Sequence, residues 1–249
     1  AVREGADYAL MTGNEVGVLL TEYLLSRRKE LGLLPKAPVV IKSFVTTDLV
    51  AAVARTYGAE TVNLLTGFKY IGEYITNLEK NNEADRFVVG MEESYGYLAG
   101  PYVRDKDAVV ASMLICEMAA YYRSIGSSIK QRLTEIYEQY GRYLNKTESF
   151  EFPGLSGMDK MKGIMDNLRA SAPTEIGGAK VVKLSDYTKP EETGLPKSNV
   201  LYFDMSDNVW MCVRPSGTEP KVKFYYGVRG SSLEQADEKS AALGYFIAN

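Results

Sequence analysis

Apolar positions in the first half of the chain alternate between short β-branched runs and stripes spaced three and four residues apart, with polar turn residues separating them. "YALM", Tyr8 to Met11, has the pattern of a strand. "TGNE" follows, with Thr12 as N-cap and Glu15 at the capping-box position of a helix running to about Lys29. "APVVIKSFV" predicts the next strand, after which Thr47 or Asp48 caps a helix to about Tyr57. "TVNLL" and "RFVVGM" predict two more strands, with a helix from about Lys69 to Leu78 between them. "DAVVASMLICEMAAYYR", Asp107 to Arg123, has the spacing of an amphipathic helix whose apolar stripe continues through Met118 and Tyr121. This βαβαβαβα rhythm implies a three-layer α/β domain with a mixed, mostly parallel sheet.

The rhythm changes near Ile125. "GSSIKQRLTEIYEQYGR" predicts a helix capped by Ser128 and Gln131, and the domain junction is placed beside it, giving domains 1–126 and 127–249. Beyond it come a strand near Thr147 to Phe152, a helix from about Met158 to Ala170, and closely spaced strands in "AKVVKL", "SNVLYFD" to "NVWMCV", and "KVKFYY". A last helix starts at Ser232, with Gln235 completing its capping box. Consecutive strands joined by turns as short as "MSDN" imply a smaller α+β domain with an antiparallel sheet.

Composition narrows the chemistry. The chain of 249 residues, 45% hydrophobic, is long enough for one large or two ordinary domains with real cores. A formal charge of -3, with both signs interspersed, provides no basic field for nucleic acid. No apolar run is long enough to span a bilayer, and the N-terminus lacks the layout of a signal peptide, so no membrane partner is expected. The two cysteines, Cys116 and Cys212, offer no disulfide framework or metal cluster, and a reducing cytoplasm suits them. There is no histidine, so a Ser-His-Asp triad, a Cys-His pair and a His-ligated metal are excluded within this chain. Acid-base work here falls to carboxylates, Lys, Tyr or Cys. The sequence begins at Ala1 without an initiator Met, and is expected to be a piece of a longer chain.

Three loops carry chemistry. In "CVRPSGTEPKVKFYY", Arg214 offers a planar fork for two phosphate oxygens, Ser216 and Thr218 offer hydroxyls, Gly217 lets backbone N–H groups approach an anion, and Lys221 adds a point charge. Pro215 and Pro220 stiffen its ends. A hairpin turn with incidental polar residues accounts for the same stretch without a ligand. In "GMEESYGYLAGPYVRDKD", Glu92 and Ser94 lie two apart at a strand end and point to one side if the extended geometry persists, which suits adjacent sugar hydroxyls. Arg104 and Lys106 follow, and the alternative is a solvated loop in which Asp105 caps the next helix. In "LLTGFKYIG", Thr66, Gly67 and Lys69 stand at a strand-to-helix turn, the usual ligand crevice of α/β sheets, although Thr-Gly at a helix start is also ordinary capping.

Together these loops, in this order, resemble the C-terminal half of an α-D-phosphohexomutase of the phosphoglucomutase and phosphomannomutase superfamily. "RPSGTEPK" resembles the phosphate-binding loop of that family's fourth domain, "EES" the sugar-binding loop of its third, and "LLTGFK" the turn beside the sugar. "VRDKDAVVA" resembles the segment whose Lys, here Lys106, is an acid-base candidate. The run from Glu92 to Met118 is most similar to the branch holding phosphoglucomutases and phosphopentomutases. One departure is Met91, which separates Gly90 from Glu92 where members often place Gly directly before the first Glu. The resemblance covers essentially the whole chain, with residues 1–126 as family domain 3 and 127–249 as domain 4.

What the resemblance implies is an isomerase-class phosphotransferase that interconverts hexose 1-phosphate and hexose 6-phosphate through a bisphosphorylated sugar. The catalytic phosphoserine and the magnesium loop of the family's domains 1 and 2 are absent from this sequence, so those domains are the missing partners. Mg2+ is then a cofactor of the full-length enzyme only, and a glucose 1,6-bisphosphate-type activator is expected. Glu92, Ser94, Thr66, Gly67, Lys69 and Arg104 would bind the sugar, and Arg214, Ser216, Gly217, Thr218 and Lys221 the non-reacting phosphate. By itself the chain would be inactive. A phosphopentomutase and a non-catalytic sugar-phosphate sensor are the alternatives.

Overall fold

In the computed structural model, which describes residues 1–4, 7–154, 156–217 and 219–248, the first long helix begins where its capping residues dictate. Helix α1 (Gly13–Glu30) follows Thr12, whose hydroxyl accepts from the Glu15 N–H while the Glu15 carboxylate accepts from the Thr12 N–H at 2.8 Å. The described residues form two units, Ala1–Tyr140 and Gly141–Asn249.

The first unit opens with an antiparallel ribbon of β1 (Val2–Glu4) and β2 (Asp7–Ala9). The strand expected at "YALM" is thus shorter and lies outside the main sheet. Its residues Tyr8 and Leu10 are exposed and bring no apolar face to the core. The main sheet is built from β3 (Val39–Ser43), β4 (Glu60–Leu64), β5 (Phe87–Glu92) and β6 (Gly96–Leu98), in the order β4-β3-β5-β6. Neighbours are parallel except for β5 and β6, so the sheet is mixed and mostly parallel.

Helix α2 (Leu49–Thr56) connects β3 to β4, and α3 (Phe68–Lys80) returns from β4 past β3 to β5. These two crossovers run in opposite directions along the sheet, so the right-handed rule puts α2 and α3 on opposite faces. The two central strands open on apolar runs, as double coverage requires: Val39, Val40 and Ile41 of β3 and Phe87, Val88 and Val89 of β5 are fully buried. Helix α3 buries Phe68, Ile71, Gly72, Ile75 and Leu78, one stripe at helical spacing.

Helix α4 (Ala108–Ser124) is capped by Asp107, whose carboxylate accepts from the N–H groups of Val109 and Val110; Asp105 does not cap it. Helix α5 (Ile129–Tyr140), grouped by sequence with the second domain, belongs to the first unit. It buries Ile129, Leu133 and Ile136, and Arg132 pairs at 2.6 Å with Glu22, a buried carboxylate that also accepts from Tyr122 and Tyr57. The second unit therefore starts near Gly141, where the strand pattern starts. No single described helix is long and apolar enough to cross a membrane.

The second unit is one six-stranded sheet in the order β7-β12-β11-β10-β9-β8, with every neighbouring pair antiparallel. Its strands are β7 (Arg142–Glu151), β8 (Glu175–Ile176), β9 (Ala179–Asp186), β10 (Leu201–Met205), β11 (Val209–Pro215) and β12 (Lys221–Gly230). Three helices accompany them: α6 (Gly157–Ala170), α7 (Pro190–Thr193) and α8 (Leu233–Ala248). Met161 and Met165 of α6 and Ala236 and Leu243 of α8 join Phe203, Met211, Val213, Val222 and Tyr226 in one core. The β10–β11 turn has Asp207 and Asn208 at φ 60° and 57°, the left-handed pair that closes a tight hairpin.

Candidate functional site

At the carboxyl ends of β4 and β5, on either side of β3, the backbone N–H of Gly67 donates to Glu92 Oε1 at 2.7 Å. Gly67 takes φ 126°, a conformation side chains rarely adopt, and this aims its N–H across the sheet at the carboxylate. Glu92 is the buried last residue of β5. Thr66, the residue before Gly67, has its Oγ1 buried with no hydrogen-bond partner among the described residues. Such an orphan costs about 1–3 kcal/mol unless something supplies the missing bond. Met91, the departure noted in sequence, does not disturb the strand: it is fully buried, and β5 pairs with β6 through Met91–Tyr97 and Glu92–Gly96.

Lys106 joins this corner. A Cβ built on Gly96 would lie 3.2 Å from Lys106 Cδ and 3.6 Å from Glu92 Oε2, so both side chains flank the same glycine. The ammonium lies 5.7 Å from the Phe68 ring centroid and 3.3 Å from Asp105 Oδ1. Asp105 is held below the ordinary carboxylate range by the backbone N–H and then the side chain of Lys106. Lys69 is exposed, with its ammonium 4.8 Å from the Tyr70 ring centroid.

Two sequence expectations change. Ser94 does not continue the extended geometry of Glu92: residues 93–95 form a turn with Tyr95 at φ 65°, and Ser94 is exposed at its tip. A three-residue turn between two strands ends the period-two alternation that would have aligned the pair. Arg104, expected to face the sugar, is committed to α3. It donates to Thr76 Oγ1 at 2.9 Å and to the Pro101 carbonyl at 2.5 Å, and pairs with Glu79. The close approach is built in, since a Cβ on Gly72 would fall 2.3 Å from the Arg104 carbonyl oxygen.

Sequence spacing also missed the struts beneath the turn. The Glu93 carboxylate accepts from Ser43 Oγ at 3.0 Å and Thr46 Oγ1 at 3.4 Å, both at the carboxyl end of β3. Lys42, fully buried, donates to the Thr46 carbonyl at 2.8 Å and pairs with Asp48 at 3.1 Å. A Lys inside the apolar run "VVIKS" was the available signal, because a buried ammonium needs partners nearby.

In the second unit, "RPSGTEPK" is the β11–β12 connection. The Ser216 N–H donates to the Lys221 carbonyl at 2.7 Å, and the Glu219 N–H donates to Ser216 Oγ at 3.2 Å. Thr218 lies outside the described residues. Arg214 is half-buried near the end of β11, and its guanidinium makes no ion pair among the described residues. Gly217 is exposed, and a Cβ there would meet nothing within 4 Å. Lys221 pairs with Glu151 at 2.8 Å. The Lys221 hydrogen bond holds the Glu151 carboxyl below its ordinary range, and Glu151 in turn raises Lys221.

The family profile described as "Phosphoglucomutase/phosphomannomutase, alpha/beta/alpha domain III" matches residues 12–140. A phosphoglucomutase from Staphylococcus aureus is 34% identical over 241 residues, which are 93% of this chain and 42% of that protein, and one from Staphylococcus haemolyticus is 34% identical over 236. The chain thus spans about two fifths of the length of these relatives, in their C-terminal part. Among solved structures, the parafusin phosphoglucomutase of Paramecium superposes with a TM-score of 0.69 at 20% identity over 96% of this chain and 40% of its own. A phosphoglucomutase/phosphomannomutase family protein of Burkholderia thailandensis gives 0.58 at 16% identity, over 97% of this chain and 43% of its own. The profile covers more than half of the sequence, ends at the last residue of α5 and includes the Thr66, Glu92 and Lys106 corner, so the chain belongs to the phosphoglucomutase/phosphomannomutase family.

Proposed function

We propose that this chain is the substrate-recognising part of a mutase that interconverts hexose 1-phosphate and hexose 6-phosphate through a bisphosphorylated sugar. The observation that carries the proposal is the Thr66–Gly67–Glu92 corner, where the Gly67 N–H orients the Glu92 carboxylate at the carboxyl ends of β4 and β5. A sugar hydroxyl donates to the Glu92 carboxylate, whose direction is already fixed. Ser94, at the tip of its turn, and Lys69 complete the sugar contacts. Arg104 positions the 101–107 loop through Thr76 and Glu79.

Arg214, Ser216, Gly217, Thr218 and Lys221 take the non-reacting phosphate. A guanidinium with no ion pair among the described residues and the open space at Gly217 support that role. Lys106 moves the proton of the reacting hydroxyl. Phosphoryl transfer depends mainly on positioning and electrostatics, and those are what these residues supply. The phosphoryl donor belongs to the remainder of the longer polypeptide, with a bisphosphorylated sugar as activator and the cytoplasm as location. Among the described residues no cluster of three or more His, Cys, Asp or Glu fits a metal ion, so a Mg2+ ion of the full-length enzyme would be held by the remainder of the polypeptide.

The relatives named phosphoglucomutase favour hexose over pentose. The test supplies the full-length polypeptide, and separately the 249-residue chain, with glucose 1-phosphate or ribose 1-phosphate and follows product. Hexose turnover by the full-length protein and none by the chain alone is expected. Turnover by the isolated chain, or a preference for the pentose, overturns the reading.

A further inference from the structure

Helix α4 starts two residues after Lys106 and ends, about 25 Å further along its axis, at a cavity that shares no residue with the sugar corner. The cavity lies within the first unit and encloses about 520 Å³, a volume typical of small-molecule sites. The carboxyl-terminal ends of α1 and α4 and the first turns of α5 wall it.

Its charges are unequal. Glu22, Glu30 and Glu135 line it against one guanidinium, Arg132, which pairs with Glu22 at 2.6 Å and with Glu135 at 2.8 Å. Glu30 is paired with Arg27, and Arg27 and the exposed Lys29 both stand outside the lining. One arginine shared by two carboxylates leaves negative charge uncompensated, and two helix carboxyl ends add to it. Glu22 is only 3% exposed, and Tyr122 and Tyr57 donate to it at 2.7 and 3.2 Å. Burial, and then Glu22 itself, push both phenols up, so they orient the carboxylate without cancelling its charge. Another lining residue, Ser127, has its Oγ buried with no hydrogen-bond partner among the described residues.

We infer that this cavity is a second ligand site, for a small organic cation with N–H donors, an alkylammonium of the diamine class. Its acceptors are carboxylate oxygens of Glu22 and Glu135 and the Ser127 hydroxyl, and an ammonium offers three donors and no acceptor to them. The rings of Tyr57, Tyr121 and Tyr122 suit the same charge; the Arg27 guanidinium already lies 4.3 Å from the Tyr121 ring centroid. A sugar phosphate, being an anion, is repelled here, so the occupant differs from the substrate proposed above. Among the described residues no three His, Cys, Asp or Glu are grouped to hold a metal ion, which selects an organic cation over a bare one.

The experiment titrates the full-length polypeptide with 1,4-diaminobutane by calorimetry at fixed ionic strength. Saturable binding of one diamine per chain is expected, undiminished by saturating glucose 1-phosphate. Ser127→Ala removes the unpartnered acceptor and Glu135→Gln one charge, and each weakens binding by about fivefold or more, with circular dichroism unchanged. Choline, a cation without N–H donors, binds more weakly than the diamine. Absence of saturable binding, equal affinity in both variants, or displacement by glucose 1-phosphate overturns the inference. Choline binding as tightly as the diamine overturns the N–H assignment.

Discussion

Glu92 and Arg214 each stand at or near the carboxyl end of a strand, yet the chain prepares them in opposite ways. Glu92 is buried, its carboxylate oriented by the Gly67 N–H and its turn braced through Glu93 to Ser43 and Thr46. Arg214 is half-buried in a proline-bounded hairpin, with no ion pair among the described residues. The difference follows from what each would hold. A sugar hydroxyl is neutral, and selecting it depends on direction, so the acceptor is fixed before the ligand arrives. A phosphate is already strongly attracted by charge, so a guanidinium outside any ion pair among the described residues gives up no such pair there when the anion binds.

The largest test of this contrast is Arg214→Ala. Loss of one side of a desolvated charge pair weakens glucose 1-phosphate binding by about 2–5 kcal/mol, read by calorimetry on the full-length enzyme, while the melting temperature of the chain stays put. Unchanged affinity would remove the phosphate role from this hairpin. Glu92→Ala reverses the signature by striking the fold as well as the ligand. The Gly67 N–H loses its acceptor, and the chain is destabilised by about 1–3 kcal/mol in urea titration. Glu92→Gln, which keeps an acceptor oxygen, retains most of that stability. If Ala and Gln unfold alike, the Gly67 bond is not what orients this corner.

The smallest effect is a titration. Glu151 has a folded pKa lowered by Lys221, so their pairing favours the folded chain above the ordinary carboxylate range and is lost as pH falls through the lowered value. Lys221 is raised, and its share is lost only as pH rises through that raised value. A phosphate that recruits Lys221 frees Glu151, whose pKa then climbs towards the ordinary range. NMR titration of the Glu151 side chain with and without glucose 1-phosphate reads this, and an unmoved curve would leave Lys221 out of the site.

Local chemistry was legible in the sequence, and tertiary commitments were not. Thr12 and Glu15 announced α1 because a capping box is a contact between near neighbours. The β-branched runs gave β3, β4 and β5, and the consecutive strands of the second unit implied its antiparallel sheet. Asp105 and Asp107 are equivalent by residue type, and only the hydrogen bonds to Val109 and Val110 separate them. The period-two argument for Glu92 and Ser94 failed because β6, only three residues long, leaves no alternation to announce a hairpin. Arg104 carried the residue type of a ligand-binding group, but its partners Thr76 and Glu79 lie a helix away in sequence. Helix α5 was misplaced for the same reason: its capping signals are local, but its membership is decided by Arg132 reaching Glu22.

The Thr66–Gly67–Glu92 corner also has a hereditary side. Thr66, Gly67, Glu92, Ser94 and Lys106, with the Arg104 brace, all come from one uninterrupted stretch of chain. A single recombination that exchanges residues 66–106 between relatives would transfer the whole proposed sugar-binding set at once and leave the Arg214 hairpin, more than 100 residues later in sequence, untouched. What such a graft must find waiting in its new host is Ser43 and Thr46, since the second glutamate of "EES" arrives without its supports.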